Sequence, residues 1–297
     1  MKLILQRKLI GHRGSIYSAI FDVHSQQLFS GGGDGWLVSW APDSVDGQLI
    51  ADVGDQIFSI CNIDTQRLAV GTMAGEIYFL GKSSRDTPRR KVFHDRGVFD
   101  LAIFKDKLIS AGGDGKLGFW NINTTEIEES IALTHNRIRS LSLNSAASLL
   151  AAGCSGGDIF ILSTTNWSVV DIISEAHIPS VFSICWDDND TLLSGGRDAH
   201  LKQWKVSDLD KPQHDLAAHW YTINHLHLNP KLPVLATASR DKTIRLWSTD
   251  TLDLIQTLDP VNAKGHINSV NRLAWTTDGT QLFAVSDDAS ISVWQFS

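Results

Sequence analysis

Residues 31–40, GGGDGWLVSW, decide the fold of this chain, and a variant of the same stretch, AGGDGKLGFW, recurs at residues 111–120. In both stretches an Asp-Gly pair stands before a short apolar run that ends in Trp. An Asp-Gly pair between two apolar runs supplies the positive φ that a tight β-hairpin turn requires. Each stretch therefore predicts a pair of antiparallel strands joined by a short turn.

Similar units follow one another along the whole 297-residue chain, and each closes on an aromatic or aliphatic anchor. The anchors are Trp40, Leu80, Trp120, Leu162, Trp204, Trp247 and Trp294. Each unit except the last contains four short strand-like runs separated by Gly, Asp, Ser and Pro, and no helical period is sustained. One four-stranded sheet cannot bury both of its faces by itself. Repeated sheets of this kind therefore stack around a common axis, where each covers the faces of its neighbours. The sequence predicts an all-β fold, a single seven-bladed β-propeller of four-stranded antiparallel blades spanning residues 1–297.

The two ends of the chain predict how the ring closes. The blades cover approximately residues 11–53, 54–92, 93–134, 135–175, 176–217, 218–259, and 265–297 plus 2–9. The last unit contains only three strand-like runs, at residues 269–275, 281–286 and 290–296. The run at residues 2–9 has Leu3, Leu5 and Leu9 at alternate positions, which predicts that they share one face. We expect this N-terminal strand to complete the seventh blade.

Charge and hydropathy narrow the classes of partner. The net charge is −7 at pH 7, and the only basic cluster, residues 85–91, is interpreted as a solvated loop, so nucleic acid is not a predicted partner. No apolar run approaches the ~20 residues that span a bilayer, and the N-terminal run is too short for a signal peptide. The odd number of cysteines favours reduced thiols. Together these features predict a cytoplasmic protein, with a nuclear location as the alternative, and no membrane partner.

The repeats resemble those of WD40 proteins over essentially the whole chain. Gly-His at residues 11–12 and 265–266 is similar to the dipeptide that opens a WD40 repeat, and five units end in its closing Trp. The Asp that normally follows this Trp is absent from all five units. The resemblance implies a non-catalytic scaffold or adaptor that binds proteins or peptides, needs no cofactor and is monomeric on its own.

The resemblance also implies a hydrogen-bond chain in each blade, from a turn Asp through His and a Ser or Thr hydroxyl to Trp. Four units match it completely, with His12, Ser30, Asp34 and Trp40; His94, Ser110, Asp114 and Trp120; His177, Ser194, Asp198 and Trp204; and His219, Thr237, Asp241 and Trp247. The seventh unit has His266, Asp288 and Trp294, but Ala284 stands at the hydroxyl position. A hydroxyl can accept from a buried indole N–H and donate to an imidazole. Because the set recurs in four units, it indicates scaffolding and not a hydrolase triad.

Partner binding is expected on the face that carries the His loops, as in the family that the chain resembles. The corresponding inner-strand positions hold Tyr17, Phe58, Phe99, Arg139, Phe182, Asn224 and Asn271. Arg197 and Arg240 precede the turn Asp of their blades, and Trp220 and Tyr221 follow His219 in a loop. The arginines could clamp a carboxylate or phosphate while the rings hold an apolar side chain. The alternative, that the strand aromatics pack between blades as core, stays open.

Three other hypotheses compete with the scaffold. His225 and His227 stand at i, i+2, a spacing that can chelate zinc, but no third ligand is evident nearby, so a core or rim role is favoured and no metal is predicted. A structural subunit of a larger permanent complex is the leading alternative function. An enzyme with its active site at the central channel is less favoured, because the sequence offers no isolated triad or single-copy metal cluster.

Overall fold

The computed structural model describes residues 2–83 and 87–297 as 28 strands in seven four-stranded antiparallel sheets. The first three sheets contain β2 (Ile16–Asp22), β3 (Gln27–Gly32), β4 (Trp36–Trp40) and β5 (Gly47–Asp52); β6 (Ile57–Asn62), β7 (Arg67–Thr72), β8 (Glu76–Gly81) and β9 (Arg89–Val92); and β10 (Val98–Phe104), β11 (Lys107–Gly112), β12 (Lys116–Asn121) and β13 (Ile127–Ala132). The next two contain β14 (Ile138–Leu143), β15 (Leu149–Cys154), β16 (Ile159–Ser163) and β17 (Val169–Ile173); and β18 (Val181–Trp186), β19 (Thr191–Gly196), β20 (His200–Lys205) and β21 (His214–Ala217). The last two contain β22 (Ile223–Leu228), β23 (Val234–Ser239), β24 (Ile244–Ser248) and β25 (Leu254–Leu258); and β26 (Val270–Trp275), β27 (Gln281–Ser286), β28 (Ser290–Phe296) and β1 (Leu3–Ile10).

The predicted seven-bladed propeller is therefore confirmed. Of the basic cluster at residues 85–91, Arg85 lies outside the described residues, and Arg89 and Arg90 belong to β9. No helix of the length and apolarity that a membrane crossing requires occurs among residues 2–83 and 87–297.

The turn between the second and third strands of a blade needs a left-handed backbone. Gly35 and Gly115 hold φ of 77° and 79°, and a Cβ at Gly115 would lie 1.9 Å from the carbonyl oxygen of Thr134. Glycine is thus required there both for its conformation and for the close approach of the next loop. The equivalent turn of the fifth blade has Ala199 at a φ of 67°, which shows that the tertiary structure imposes this conformation even without glycine.

The hydrophobic core lies between neighbouring blades. Phe29 and Leu37 of the first blade, for example, pack against Ile57 and Leu68 of the second, and all four are fully buried. Each such side chain contributes about 1.5–3 kcal/mol when it leaves water. Because every blade shares its core with two neighbours, closing the ring buries apolar surface that would otherwise be exposed at its two ends.

The N-terminal strand closes the ring, as predicted. β1 pairs antiparallel with β28, with Leu3 opposite Phe296 and Leu9 opposite Ile291. The expectation that Leu3, Leu5 and Leu9 share one face is wrong, because the register shifts between Leu5 and Arg7. Such a bulge reverses the alternation of side chains. Leu3 consequently packs in the core shared with the sixth blade, and Leu9 in the core shared with the first.

A side chain of the sixth blade reinforces this closure. The Gln256 amide of β25 accepts a hydrogen bond from the backbone N–H of Leu3 at 2.8 Å. It also donates to the Leu3 carbonyl oxygen at 2.9 Å. The outer strand of the sixth blade therefore holds the start of β1 through a pair of hydrogen bonds that imitate strand pairing.

Candidate functional site

In the first blade, a chain of hydrogen bonds links the Trp anchor to the turn. The Trp40 indole donates to Ser30 Oγ at 2.8 Å, and Ser30 Oγ lies 2.8 Å from His12 Nε2. His12 Nδ1 lies 3.0 Å from the carboxylate of Asp34, which also accepts from the backbone N–H of Arg13 at 2.9 Å. With the hydroxyl donating to Nε2, the imidazole carries its proton on Nδ1 and donates to Asp34. This chain of hydrogen bonds thereby holds the His loop against the hairpin turn.

The same three contacts recur in the third, fifth and sixth blades, at 2.7–3.1 Å. The groups involved are His94, Ser110, Asp114 and Trp120; His177, Ser194, Asp198 and Trp204; and His219, Thr237, Asp241 and Trp247. The accepting hydroxyls have no exposed surface. A hydroxyl in this position cannot reach a substrate, so the geometry does not suit a nucleophile.

The seventh blade obtains its hydroxyl from a residue that the sequence motif misses. Ser292 on β28 lies directly opposite Ala284 on β27. Its Oγ accepts from the Trp294 indole at 2.7 Å and lies 2.7 Å from His266 Nε2, while His266 Nδ1 lies 2.9 Å from Asp288. In this blade the hydroxyl group comes from the cross-strand partner, and the series of hydrogen bonds from Trp to Asp is still complete. A search for polar residues across the strand pair, and not only along one strand, would have found it.

Burial sets the protonation of these groups. It lowers the pKa of His12, His94 and His219, although the neighbouring carboxylates act in the opposite direction. Burial alone would raise the pKa of Asp241, but the hydrogen bonds that it accepts from His219 and Thr243 lower it well below the ordinary value. At neutral pH the hydrogen-bond chain of the sixth blade therefore joins a neutral His219 imidazole to an ionised Asp241 carboxylate.

The inner-strand positions of all seven blades meet around one cavity of about 150 Å³ at the mouth of the central channel. Its lining consists of Tyr17, Phe58, Phe99, Arg139, Phe182, Asn224, Asn271 and Arg272. The aromatic rings form a row, with centroids 5.1 Å apart for Tyr17 and Phe58 and 5.5 Å apart for Phe58 and Phe99. These side chains are half-buried and face the channel, whereas the strand residues beside them, such as Ile57 and Val98, form the cores between blades.

The asparagines on the other side of the cavity have their donors occupied. Asn224 Nδ2 donates to the carbonyl oxygen of Val270 at 2.8 Å. Asn271 Nδ2 donates to the carbonyl oxygen of Ile16 at 2.9 Å and to Asp287 at 2.8 Å. These amides join the sixth blade to the seventh and the seventh to the first. The lining therefore has an open aromatic and cationic side and a side that is engaged in holding the ring together.

The remaining predicted positions form a rim on the same face. Arg197 and Arg240 are exposed, and the exposed fractions of Trp220 and Tyr221 are 82% and 62%. The backbone N–H of Trp220 donates to Asp241 at 3.1 Å, so the hydrogen-bond chain of the sixth blade anchors the loop that presents both aromatic side chains. Neighbouring exposed aromatic side chains are typical of interaction sites.

A second cavity, of about 330 Å³, shares Arg272 with the cavity at the mouth, and its lining includes His225 and His227. His227 Nδ1 pairs with the carbonyl oxygen of Leu273 at 3.1 Å, and His225 Nδ1 accepts from the backbone N–H of Leu273 at 3.2 Å. Burial and the nearby Arg272 lower the pKa of His227 to about 4. Within residues 2–83 and 87–297, no three His, Cys, Asp or Glu side chains converge as a metal site would require.

Comparison with known proteins gives the family. The model of the WD domain, G-beta repeat, matches residues 4–41, 170–205, 210–248 and 254–295, just over half of the chain. The chain belongs to the WD40-repeat family. Its propeller superposes on the WD40 β-propeller domain of Doa1 with a TM-score of 0.88, covering 100% of this chain and 97% of that one at 17% identity, which shows the shared fold alone.

Curated relatives resemble parts of this WD40 chain. Coronin-7 of Pongo abelii is 32% identical over 125 residues, covering 39% of the chain and 13% of the relative. Protein HIR1 of Gibberella zeae is 25% identical over 253 residues, covering 71% of the chain and 24% of the relative. The chain thus spans no more than about a quarter of the length of these relatives.

Proposed function

We propose that this WD40 propeller is a non-catalytic scaffold or adaptor that binds a protein or peptide partner on the face carrying the His loops. One observation carries the proposal: side chains from all seven blades line a single cavity at the channel mouth on that face. The proposed partner-binding residues are Tyr17, Phe58, Phe99, Arg139, Phe182, Arg197, Asn224, Arg240, Asn271, Trp220 and Tyr221.

The chemistry of this surface suits a protein partner. Aromatic residues and arginine are enriched at the energetic centres of protein interfaces. The rings of Tyr17, Phe58 and Phe99 already pack against one another, so binding would immobilise few additional rotamers. The exposed rings of Trp220 and Tyr221 would extend the contact outward from the cavity.

In this proposal the repeated hydrogen-bond chains are structural. Each one fixes a His loop and a hairpin turn, which are the segments that surround the cavity. Each hydrogen bond contributes about 1 kcal/mol net, whereas leaving one buried partner unpaired costs about 1–3 kcal/mol. The chains would therefore hold the binding face rigid without touching the partner.

The test is a comparison of two variants in affinity capture from cells of the native host. The face variant carries Tyr17→Ala, Phe99→Ala and Arg197→Ala. The control variant carries Val23→Ala and Lys231→Ala, both exposed in loops at the opposite end of the inner strands. We expect the face variant to lose partners that the wild type and the control retain, with unchanged thermal unfolding. Identical partners for all three proteins, or a face variant that does not fold, would contradict the proposal.

A permanent structural subunit is the second candidate, and one feature of the fourth blade favours it. The outer strand β17 exposes Val169, Val170 and Ile172, by 41%, 53% and 45%. An edge strand with exposed apolar side chains can pair with another chain. Light scattering of the purified protein separates the two candidates, because an adaptor is expected to be a well-behaved monomer and an obligate subunit to self-associate.

A cytoplasmic location, with the nucleus as alternative, accompanies the proposal. Cys61 and Cys154 are buried free thiols. Burial raises the pKa of the Cys61 thiol to about 12, which keeps it protonated and unreactive. Such thiols persist most readily in a reducing compartment. Nucleic acid, membranes and cofactors have no part in the proposed function.

A further inference from the structure

Three arginines meet at one side of the channel mouth. Arg139 lies on β14, Arg137 precedes that strand, and Arg197 lies in the hairpin turn of the fifth blade. Among the residues that the structure describes, none of the three forms an ion pair with a carboxylate, although other basic side chains of the protein do. This concentration of positive charge stands out in a chain whose net charge is −7.

Arg139 is the enclosed member of the group. Its guanidinium carbon lies 4.4 Å from the ring centroid of Phe182 and 5.3 Å from that of Phe99. Its Nε is buried and has no hydrogen-bond acceptor within the described part of the chain. A buried donor without an acceptor is unfavourable, and here it belongs to a cation.

The positive charges of two neighbouring arginines make the environment of Arg139 still less favourable. Burial, together with Arg137 and Arg197, lowers the pKa of Arg139 to about 10. The guanidinium is still protonated at neutral pH, so three like charges lie close together, and one of them, Arg139, lines the cavity at the channel mouth. An anion at this point would relieve both the repulsion and the missing hydrogen bond.

The fourth blade, to which Arg137 and Arg139 belong, lacks the hydrogen-bond chain that ties down other His loops. Its His135 is exposed, and so is Arg137, whose guanidinium carbon lies 5.9 Å from the Phe99 centroid. Arg137 therefore lies beside the aromatic row.

We propose that this pocket, formed by Arg137, Arg139 and Arg197 beside Phe99 and Phe182, binds the carboxylate of a Glu or Asp side chain from a peptide partner. A guanidinium packed against aromatic rings presents its edge, and the planar fork of N–H donors on that edge matches a carboxylate bidentately. The rings would hold the methylene stem, and the two exposed arginines would attract the acidic segment. This inference rests on the proposed function, since it names the chemistry of the partner that the same face would bind.

The experiment selects binders to the full-length protein from a random-peptide display library. We expect one position of the selected peptides to be enriched in Glu or Asp. Arg139→Gln should weaken binding of a selected peptide by about tenfold or more, and the peptide with Glu→Gln should bind wild type and Arg139→Gln equally. Lys231→Gln, exposed at the opposite end of the propeller, is the matched control and should leave affinity within about threefold.

A second variant and a second peptide complete the experiment. If Arg139→Gln fails to fold, the double variant Arg137→Gln, Arg197→Gln changes only exposed side chains and should reduce affinity for the acidic peptide but not for its Gln version. Replacing the peptide Glu with phosphoserine tests the source of the anion, and phosphoserine binding about tenfold tighter would overturn the carboxylate assignment. Selected peptides without an acidic preference would overturn the inference alone, whereas a library that yields no binder to the His-loop face would contradict the proposed function as well.

Discussion

Arg272 in the seventh blade donates a hydrogen bond across the central channel to Asp100 in the third, with 3.0 Å between Nη2 and Oδ1. The other carboxylate oxygen of Asp100 accepts from the backbone N–H of Leu141 in the fourth blade at 2.9 Å. Arg272 lines both the cavity at the mouth and the one below it. The Asp100 carboxylate therefore joins the seventh blade to the third and fourth blades, which are far from it in sequence, and its partner Arg272 borders both cavities.

Replacing Arg272 with Met should destabilise the protein, because Asp100 would keep its charge in a buried position without its partner. Removing one member of a buried pair costs about 3–5 kcal/mol, and we expect the lower end because Arg272 is partly exposed. Denaturant unfolding of the wild type and Arg272→Met measures the difference. The double variant Arg272→Met, Asp100→Asn removes both charges and should recover part of the loss; an equally unstable double variant would show that packing of Arg272, and not its charge, is what matters.

Ser292→Ala should cost about 1–3 kcal/mol, since it leaves the Trp294 indole without its buried acceptor and leaves His266 Nε2 only the carbonyl oxygen of Ala284, at 3.1 Å. Because Ala284 lies directly opposite, Ala284→Ser in the Ser292→Ala background moves the hydroxyl to the position that four other blades use. We expect the double variant to regain most of the lost free energy of unfolding. No recovery would mean that the hydroxyl must come from β28 for this chain to form.

The two faces of β1 offer a test of ring closure. Leu3 and Leu9 are buried in the cores of different neighbouring blades, so either Leu→Ala change should cost about 2–5 kcal/mol. Ile10, which is 74% exposed on the same strand, is the control and should cost less than about 0.5 kcal/mol when changed to Ala. Deleting residues 2–9 should lower the midpoint of a single transition for the whole ring. A separate early transition confined to the seventh blade would contradict cooperative closure.

Acidification should destabilise the fold between about pH 6.5 and pH 4. The pKa of His227 falls from 6.5 to about 4 on folding, so in this interval the unfolded chain binds more protons than the folded one. The stability that the neutral imidazole contributes is present above pH 6.5 and is lost as the pH falls towards 4. We expect a loss of roughly 1–3 kcal/mol, because partial access of water to the channel reduces the penalty of charging the imidazole. Urea unfolding at a series of pH values should show a shallower dependence for His227→Gln than for wild type. An unchanged slope would exclude His227 as a source of the effect.

Much of the architecture could be predicted because it depends on local spacing. The interval between Trp anchors, the Asp-Gly turns and the alternation of strands follow from backbone geometry, and the three-stranded last unit indicated the closure by β1. The bulge after Leu5 could not be predicted, because an extra residue in a strand leaves the hydrophobic pattern almost unchanged while it exchanges the faces. Ser292 escaped the motif because cross-strand neighbours depend on register.

The side chains around the channel mouth were likewise predictable only in part from the sequence. The sequence by itself determined the period, and the resemblance to WD40 repeats then indicated one inner-strand position per blade, while it stayed open whether the aromatic side chains there pack as core. Only the tertiary structure decided their environment. Asn224 and Asn271 donate hydrogen bonds to neighbouring blades, whereas Arg139 lies against two aromatic rings and its Nε has no acceptor among residues 2–83 and 87–297. The physical reason is that hydrogen-bond satisfaction and burial depend on contacts between blades, which no local pattern records.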